Sequence, residues 1–448
     1  MFKRLLIANR GEIALRVLRT CKRMNIETVC VYSTADRDAL YLRLADRRIC
    51  FGPPASAESY LNMNQLLAAA EISDADSIHP GYGFLSENKR FADIVETCGI
   101  AFVGPSPDAI ELCGDKSRTR DAAAAAGIPT VPGSAGVITS DEDALAIADR
   151  IGYPVLIKAS AGGGGRGMRI AGNRASLIDR MSQARAEAKA AFGNDEVYIE
   201  KLIEQPRHVE VQILGDKHGN VVHLGERDCT VQRRHQKLME ATPSPVVDAA
   251  LREKLGAAAI ALAKEIKYYN AGTVEFIVDK HKNFYFIELN SRLQVEHPVT
   301  EAVTGLDLVE QQIRVAFGEP LAFRQKDIIL SGASMECRIN AEDPSANFSP
   351  RPGRIELYSP PQGKGVRMDS HIYTGYSVPP YYDSMLGKLI VHAADRESAI
   401  DSMKRALDNL ILEGPPTTAR FLRAILDHNR FVTGDYHTKW IDEEFMKK

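Results

Sequence analysis

Two short apolar runs carry acids where acids are costly. Residues 273–279 and 284–290 are joined by Lys280-His281-Lys282-Asn283 and read as a β-hairpin. Pairing across this four-residue loop sets Asp279 opposite Phe284 and Glu275 opposite Glu288, and the strand period of two puts Asn290 on the face of Glu288. Opposed carboxylates about 5 Å apart repel, and a plain sheet selects against them. A divalent cation removes the repulsion. Magnesium takes one or two carboxylates and fills its shell with phosphate oxygens. Glu275, Glu288 and Asn290 therefore form a candidate cradle for a magnesium nucleotide. Their neighbours Val274, Phe276, Ile277, Phe286, Ile287 and Leu289 argue against a solvated face. The chain continues Ser291-Arg292-Leu293-Gln294-Val295-Glu296-His297-Pro298, in which Arg292, Gln294 and Glu296 keep the alternation of Asn290. Beside a transferring phosphate they offer a guanidinium fork for a small oxyanion, an amide, and a carboxylate base.

A second feature is the run Lys158-Ala159-Ser160-Ala161-Gly162-Gly163-Gly164-Gly165-Arg166-Gly167, which contains G-x-G-x-x-G. A dinucleotide fingerprint must open a helix, whereas Met168-Arg169-Ile170 reads as a strand. No Gly-Lys-[Ser/Thr] follows, so this is not a P-loop either. A glycine-rich hairpin tip can fold its N–H groups over phosphates as a flap. Ordering four successive glycines costs on the order of 1–2 kcal/mol per residue, which a merely structural loop would not require. Lys158, at the end of an apolar strand, is placed to meet α/β-phosphates.

These groups need a scaffold. Residues 1–113 alternate strands with helices: strands at 4–8, 27–32, 76–78 and 100–103, and a helix at 11–23. Such alternation predicts a Rossmann-like parallel sheet, with its active edge at the loops Asn9-Arg10-Gly11-Glu12 and His79-Pro80-Gly81-Tyr82-Gly83. Residues 114–205 read as a small α+β module bearing the flap: helix 117–126, strands 154–159, 168–170 and 197–201, and helix 175–191. Residues 206–448 begin with a hairpin (209–214 and 221–224), then helix 248–265, the carboxylate hairpin, a helical stretch 304–317, and a mixed α+β tail with helices 396–410 and 417–427. The fold class is thus α/β and α+β.

Composition narrows the function. A chain of 448 residues exceeds the reach of one core. A net charge of −3 excludes the overall basic bias of a nucleic-acid binder. No apolar stretch approaches the ~18 residues of a membrane helix, and the start MFKRLLIANRGE lacks a signal-peptide core. Seven scattered cysteines without C-x-x-C point to reduced thiols in a cytoplasm.

At this point the residues resemble a known family over the whole length, the biotin carboxylase branch of the ATP-grasp ligases. The matching runs are LIANRGEIALRV (6–17), HPGYGFLSEN (79–88), KASAGGGGRGM (158–168), RHVEVQ (207–212), ERDCTVQRRHQK (226–237), FIELNSRLQVEHPVTE (286–301), ECRINAED (336–343) and PPYYDSMLGKLI (379–390). The resemblance implies an ATP-grasp lid at 114–205, and an ATP-grasp core with the C-terminal part of the family at 206–448. It implies that Lys116, Lys158, Gly162, Gly163, Gly164, Gly165, Arg166, Gly167, Glu200, Lys201, His208, Gln232 and His235 surround ATP. Glu275, Glu288 and Asn290 would hold magnesium or manganese. Arg292, Gln294 and the Val295 backbone would bind bicarbonate, and Glu296 would deprotonate it. Lys237 would steady phosphate and carboxyphosphate, and Arg338, with Tyr82 nearby, would stabilise the enolate of the biotin ureido ring.

The family usually has two acids where this chain has Glu240-Ala241, and often His where it has Ala333; neither position is assigned chemistry. A family homodimer would use Arg19 and Arg367, although Arg23 and Lys364 depart from its pattern. No Met-Lys-Met biotinylation motif is present, so the biotin carboxyl carrier protein and the carboxyltransferase are expected on other chains. The final acceptor (acetyl-CoA, propionyl-CoA, pyruvate or another) stays open. Three rivals remain: an ATP-grasp ligase joining an acyl phosphate to an amine, a degenerate scaffold subunit, and a nicotinamide dehydrogenase. The first needs another acceptor pocket, the second a lost acid, and the third a helix after the glycine run.

Overall fold

A computed structural model describes residues 1–159 and 168–446. The flap residues Gly162, Gly163, Gly164, Gly165, Arg166 and Gly167 lie outside the described residues.

Near the N-terminus, five parallel strands, β1 (Arg4–Ile7), β2 (Glu27–Ser33), β3 (Arg47–Gly52), β4 (Ser77–His79) and β5 (Ala101–Phe102), lie in the order β3-β2-β1-β4-β5. β1 is wholly buried, as a central parallel strand covered on both faces must be. β3 was not expected from its sequence: it is an edge strand with Arg47 and Arg48 exposed, and edges carry charge. The strand order reverses between β1 and β4, so the loops after them open a crevice at the sheet's carboxyl end. The two loops are stitched together: Asn9 Nδ2 donates to the carbonyls of Pro80 (2.7 Å) and Tyr82 (2.8 Å). Gly81, at φ 64°, leaves room for that amide, since a Cβ there would stand 2.8 Å from Asn9 Nδ2.

A second, three-stranded antiparallel sheet, in the order β7-β6-β8, holds β6 (Val155–Ala159), β7 (Arg169–Ala171) and β8 (Val197–Lys201). Helices Asp141–Ile151 and Arg174–Phe192 cover it around Val155, Ile157, Val197 and Ile199. β6 and β7 flank the glycine run and pair antiparallel, Ile157 with Arg169. The residues after the run are therefore a strand, not the helix a dinucleotide fingerprint requires.

The largest element is an antiparallel sheet of eight strands: β9 (Arg207–Gly215), β10 (Val221–Arg233), β11 (Gln236–Thr242), β12 (Asn270–Val278), β13 (Phe284–Asn290), β14 (Ala333–Asn340), β15 (Val366–Ser370) and β16 (Met385–Ala393). Its order is β13-β12-β9-β10-β11-β14-β16-β15. Helix Ala249–Glu265, capped by Asp248, covers one part, and helices Arg396–Asp408 and Ala419–Asp427 cover another. β10 runs nine residues beyond the expected end at 224, because its charged stretch is buried rather than solvated: Glu226 pairs with Arg252, Arg227 with Glu210, and Asp228 accepts from the Ser244 hydroxyl. The helical stretch expected at 304–317 is instead two helices, His297–Thr304 and Leu308–Phe317; left-handed Gly305 ends the first, and the Asp307 side chain caps the second.

The carboxylate hairpin corrects one expectation. Phe284 pairs with Val278, not Asp279. Asp279 closes the loop instead, its Oδ1 accepting from the amides of His281 (2.8 Å) and Asn283 (2.9 Å), an Asx turn. Continued in that register, Glu275 would face Ile287 and Glu288 would point to the other side. The register shifts between Glu275 and Phe276, leaving Ile287 as an extra residue on β13, and Glu275 comes to face Glu288. A β-bulge, not the turn, thus brings both acids to one face. Among the described residues, no helix is long and apolar enough to cross a membrane.

Candidate active site

The three sheets enclose one cavity of about 1750 Å³. Its walls include Tyr82 from the β4 loop; Lys116; Lys158, Glu200 and Lys201 from the small sheet; and His208, Gln232, His235, Lys237, Glu275, Glu288, Asn290 and Arg338 from the large one. Arg292, Gln294 and Val295 also line it. The segment 291–296 is irregular rather than the extended alternation expected, yet it delivers Arg292 and Gln294 to the cavity.

Glu296 is placed differently. It has no exposed surface and stands behind the wall, held by Lys237 Nζ at 2.6 Å and Arg338 Nη2 at 2.9 Å. It precedes helix His297–Thr304, but its carboxylate makes no cap to that helix and is turned to these cations instead. Burial pushes the Glu296 carboxyl up, but Lys237, Arg338 and Arg227 together outweigh it and hold the group well below the usual range. It is therefore an ionised acceptor at neutral pH, with its basicity tied to where the two cations sit.

Lys237 is the hub. Its ammonium reaches Glu210 (2.6 Å), Glu275 (3.1 Å) and Glu296 (2.6 Å). Arg227, fully buried, pairs with Glu210 at 2.6 Å, and His208 with Glu275 at 2.8 Å. Burial opposes protonation of His208, yet the adjacent Glu275 raises its pKa on balance. Burial likewise raises Glu275, but Lys237 and His208 bring it well below the usual carboxylate range. Arg338 Nε donates to Glu240 at 2.6 Å. Burial first, and then the Glu296 charge, lift the Glu240 carboxyl to about 7 against the pull of Arg338. Glu240 is thus a counterion of Arg338. Ala333, the other departure, is buried and belongs to the apolar cluster under the C-terminal helices.

The metal cradle can be tested on its donors. Asn290 Nδ2 donates to Glu275 at 3.0 Å, and Glu288, across the bulge, meets Lys116 at 3.3 Å. Two carboxylates and an amide oxygen on one cavity face are the hard donors magnesium favours, so the residues fit. Among the described residues, two further clusters of possible ligands are His208–Glu210–Glu275 and Glu210–Cys229–Glu296. Lys237 already fills both, and their nitrogen or sulfur suits magnesium less, so the hairpin set is the better cradle.

Elsewhere, Lys158 pairs with Glu200 at 2.5 Å, which also meets Arg120 at 2.8 Å. Lys201 lines the cavity, but its ammonium clamps the carbonyls of Gly152 (3.0 Å) and Tyr153 (2.8 Å). Gln232 donates to the Cys229 carbonyl, and His235 stands exposed at the β10–β11 turn with φ 65°. Arg292 donates to Gln294 Oε1 at 2.8 Å and Glu87 Oε2 at 3.1 Å. The Tyr82 hydroxyl donates to Glu12.

Reading the sequence missed Glu210, Arg227, Glu87 and Lys388, and placed Glu12 at the active edge without giving it a role. Glu210 could have been found, since it is two residues from His208 on β9 and shares its face; the others meet the site only through tertiary contacts.

A parallel sheet with a ligand crevice, a small sheet whose strands flank the glycine run and an antiparallel sheet bearing paired acids define an enzyme of the ATP-grasp class. The comparisons carry this further. Residues 1–110 match the model "Biotin carboxylase, N-terminal domain", residues 115–324 "Carbamoyl-phosphate synthase L chain, ATP binding domain", and residues 336–443 "Biotin carboxylase C-terminal domain". The chain is 55% identical over 442 residues to a biotin carboxylase of Nostoc sp., covering 99% of both proteins. A crystal structure of a biotin carboxylase–βγ-ATP complex from Campylobacter jejuni matches with TM-score 0.93 and 52% identity, over 99% of each chain. The biotin carboxylase domain dimer of Hydrogenobacter thermophilus 2-oxoglutarate carboxylase, in complex with MgADP, ADP and bicarbonate, matches with TM-score 0.91 and 49% identity, over 99% of this chain and 98% of that one. The chain belongs to the biotin carboxylase family.

Proposed function

We propose that this protein uses ATP and bicarbonate to carboxylate biotin on a separate biotin carboxyl carrier protein, through carboxyphosphate, as the first half-reaction of a biotin-dependent carboxylase. The observation that carries the reading is Glu296, fully buried between Lys237 and Arg338 and two residues along the chain from Gln294, which forms the oxyanion fork with Arg292. Lys237, Arg338, Arg292 and Gln294 line the same cavity as Lys116, Lys158 and Glu200, and Glu296 stands behind that wall in contact with Lys237 and Arg338.

Bicarbonate is a weak nucleophile, so catalysis here is positioning plus electrostatics. Arg292, Gln294 and the Val295 amide hold the anion, and Glu296 takes its proton as it attacks the γ-phosphorus, breaking the bond to the bridging oxygen so that ADP leaves. Magnesium, held by Glu275, Glu288 and Asn290, would neutralise phosphate charge. Lys237 can swing from its three carboxylates toward the transferred phosphoryl group. Carboxyphosphate then yields CO₂ and phosphate, the phosphate removes the ureido proton of biotin, and Arg338 balances the resulting oxyanion. Exclusion of water from the site would protect the labile intermediate.

The carrier protein, carboxyltransferase subunits, a homodimer and a cytoplasmic setting complete the proposal. The test is ATP cleavage measured with and without bicarbonate and free biotin. Bicarbonate dependence and stimulation by biotin are expected. Cleavage indifferent to both would overturn the reading.

A further inference from the structure

Lys388, on β16, is a lysine with no exposed surface. Burying an ammonium costs more than a single ion pair usually returns, so stability alone is a poor reason for it. Its contacts point elsewhere. Nζ donates to the backbone carbonyl of Val295 at 2.8 Å and pairs with Glu12 at 3.2 Å. Glu12 comes from helix Gly11–Arg23, at the crevice of the parallel sheet, and accepts the Tyr82 hydroxyl proton. The Tyr82 ring lies 6.0 Å from the same ammonium. One ion pair therefore joins the segment 291–296 to the opposite wall of the cavity.

The carbonyl that Lys388 grips belongs to the peptide between Val295 and Glu296. Orientation of that peptide decides where the Glu296 carboxylate starts and how the Val295 residue faces the anion. The segment has no ladder of its own to hold it, being irregular. Lys388 sits across from Arg338 on β14 and Asp369 on β15, so its own place is set by the sheet.

We infer that Lys388, with Glu12 as counterion, is a positioning residue that fixes the Val295–Glu296 peptide and thereby the bicarbonate site. The inference rests on the proposed function and deepens it. In the intact protein, Lys388→Met should raise the KM for bicarbonate in ATP cleavage without biotin by roughly tenfold or more, the worth of a hydrogen bond from a charged donor. The Kd for MgATP should stay within about threefold. Lys388→Arg, which keeps a donor, should recover part of the loss, whereas a purely structural lysine would shift the MgATP and bicarbonate constants together. Should Lys388→Met fail to fold because Glu12 is left bare, Glu12→Gln with Lys388→Met removes both charges and still lacks the grip; the same rise in KM is expected. An unchanged bicarbonate KM in a folded variant overturns the positioning role, as does failure of the double variant to fold, which would make the pair a packing element. No bicarbonate-dependent cleavage in the unsubstituted protein would instead overturn the function itself, and this inference with it.

Discussion

Glu296→Gln removes one negative charge and the base at almost constant volume. Removing one partner of a buried ion pair costs about 3–5 kcal/mol when the other is left uncompensated. Here neither cation is abandoned. Lys237 keeps Glu210 at 2.6 Å and Glu275 at 3.1 Å, and Arg338 keeps Glu240 at 2.6 Å. Glu240 also loses the Glu296 charge that helps lift its pKa to about 7, so it becomes a better counterion. The remaining loss is that of weakened hydrogen bonds to charged groups, about 1–2 kcal/mol, and the variant should fold. A positioned general base contributes about 10²–10⁴ in rate, or about 3–5 kcal/mol of barrier. Bicarbonate-dependent ATP cleavage, followed as phosphate release at saturating MgATP, should fall by that factor, while the Kd for MgATP stays within about threefold. Near-normal cleavage would refute the base assignment. Loss of nucleotide affinity would show that the carboxylate serves the ATP site instead.

Arg338→Ala should keep MgATP affinity and lose carboxylation of free biotin; full biotin carboxylation, measured as incorporated ¹⁴C, would sink the enolate role. Glu288→Gln should raise the magnesium concentration for half-maximal velocity by roughly tenfold, on the order expected for one lost charged ligand, and an unchanged magnesium titration would count against the cradle. The contribution of Glu240 to the pH dependence of stability has a definite sign, opposite to that of the buried His79, His297 and His371, whose pKa values burial lowers. Burial raises the folded pKa of Glu240 from 4.5 to about 7, so between those values the folded chain holds a proton that the unfolded chain releases. Stability from this group therefore falls as pH rises through that window. Burial raises the Glu336 carboxyl well above its usual range and adds a fall in the same direction. In denaturant titrations at pH 5 and pH 7.5, stability should change more favourably with rising pH in Glu240→Gln than in the unsubstituted protein; an identical pH dependence in the two would refute the buried-acid account.

What was legible in the sequence was local and periodic. Strand and helix patterns marked most of the parallel sheet, because β1 and its neighbours are continuous apolar runs with turn residues between them. The strand after the glycine run could be told from a helix by composition. Opposed acids in apolar strands announced a site because such acids need a reason. Other things belonged to the tertiary structure alone. The Asx turn at Asp279 shifted the register, and only the bulge at Ile287 brought Glu275 and Glu288 back to one face; no local pattern records where an extra residue sits. The sequence pattern ended β10 at 224, and only the fold pairs Arg227 with Glu210. Glu240 seemed idle until the pairing of β11 with β14 set it beside Arg338. Lys388 and Glu12 are 376 residues apart. Their meeting depends on how the parallel sheet docks against the antiparallel one, since an ion pair exists only when packing excludes the water that would otherwise solvate each charge.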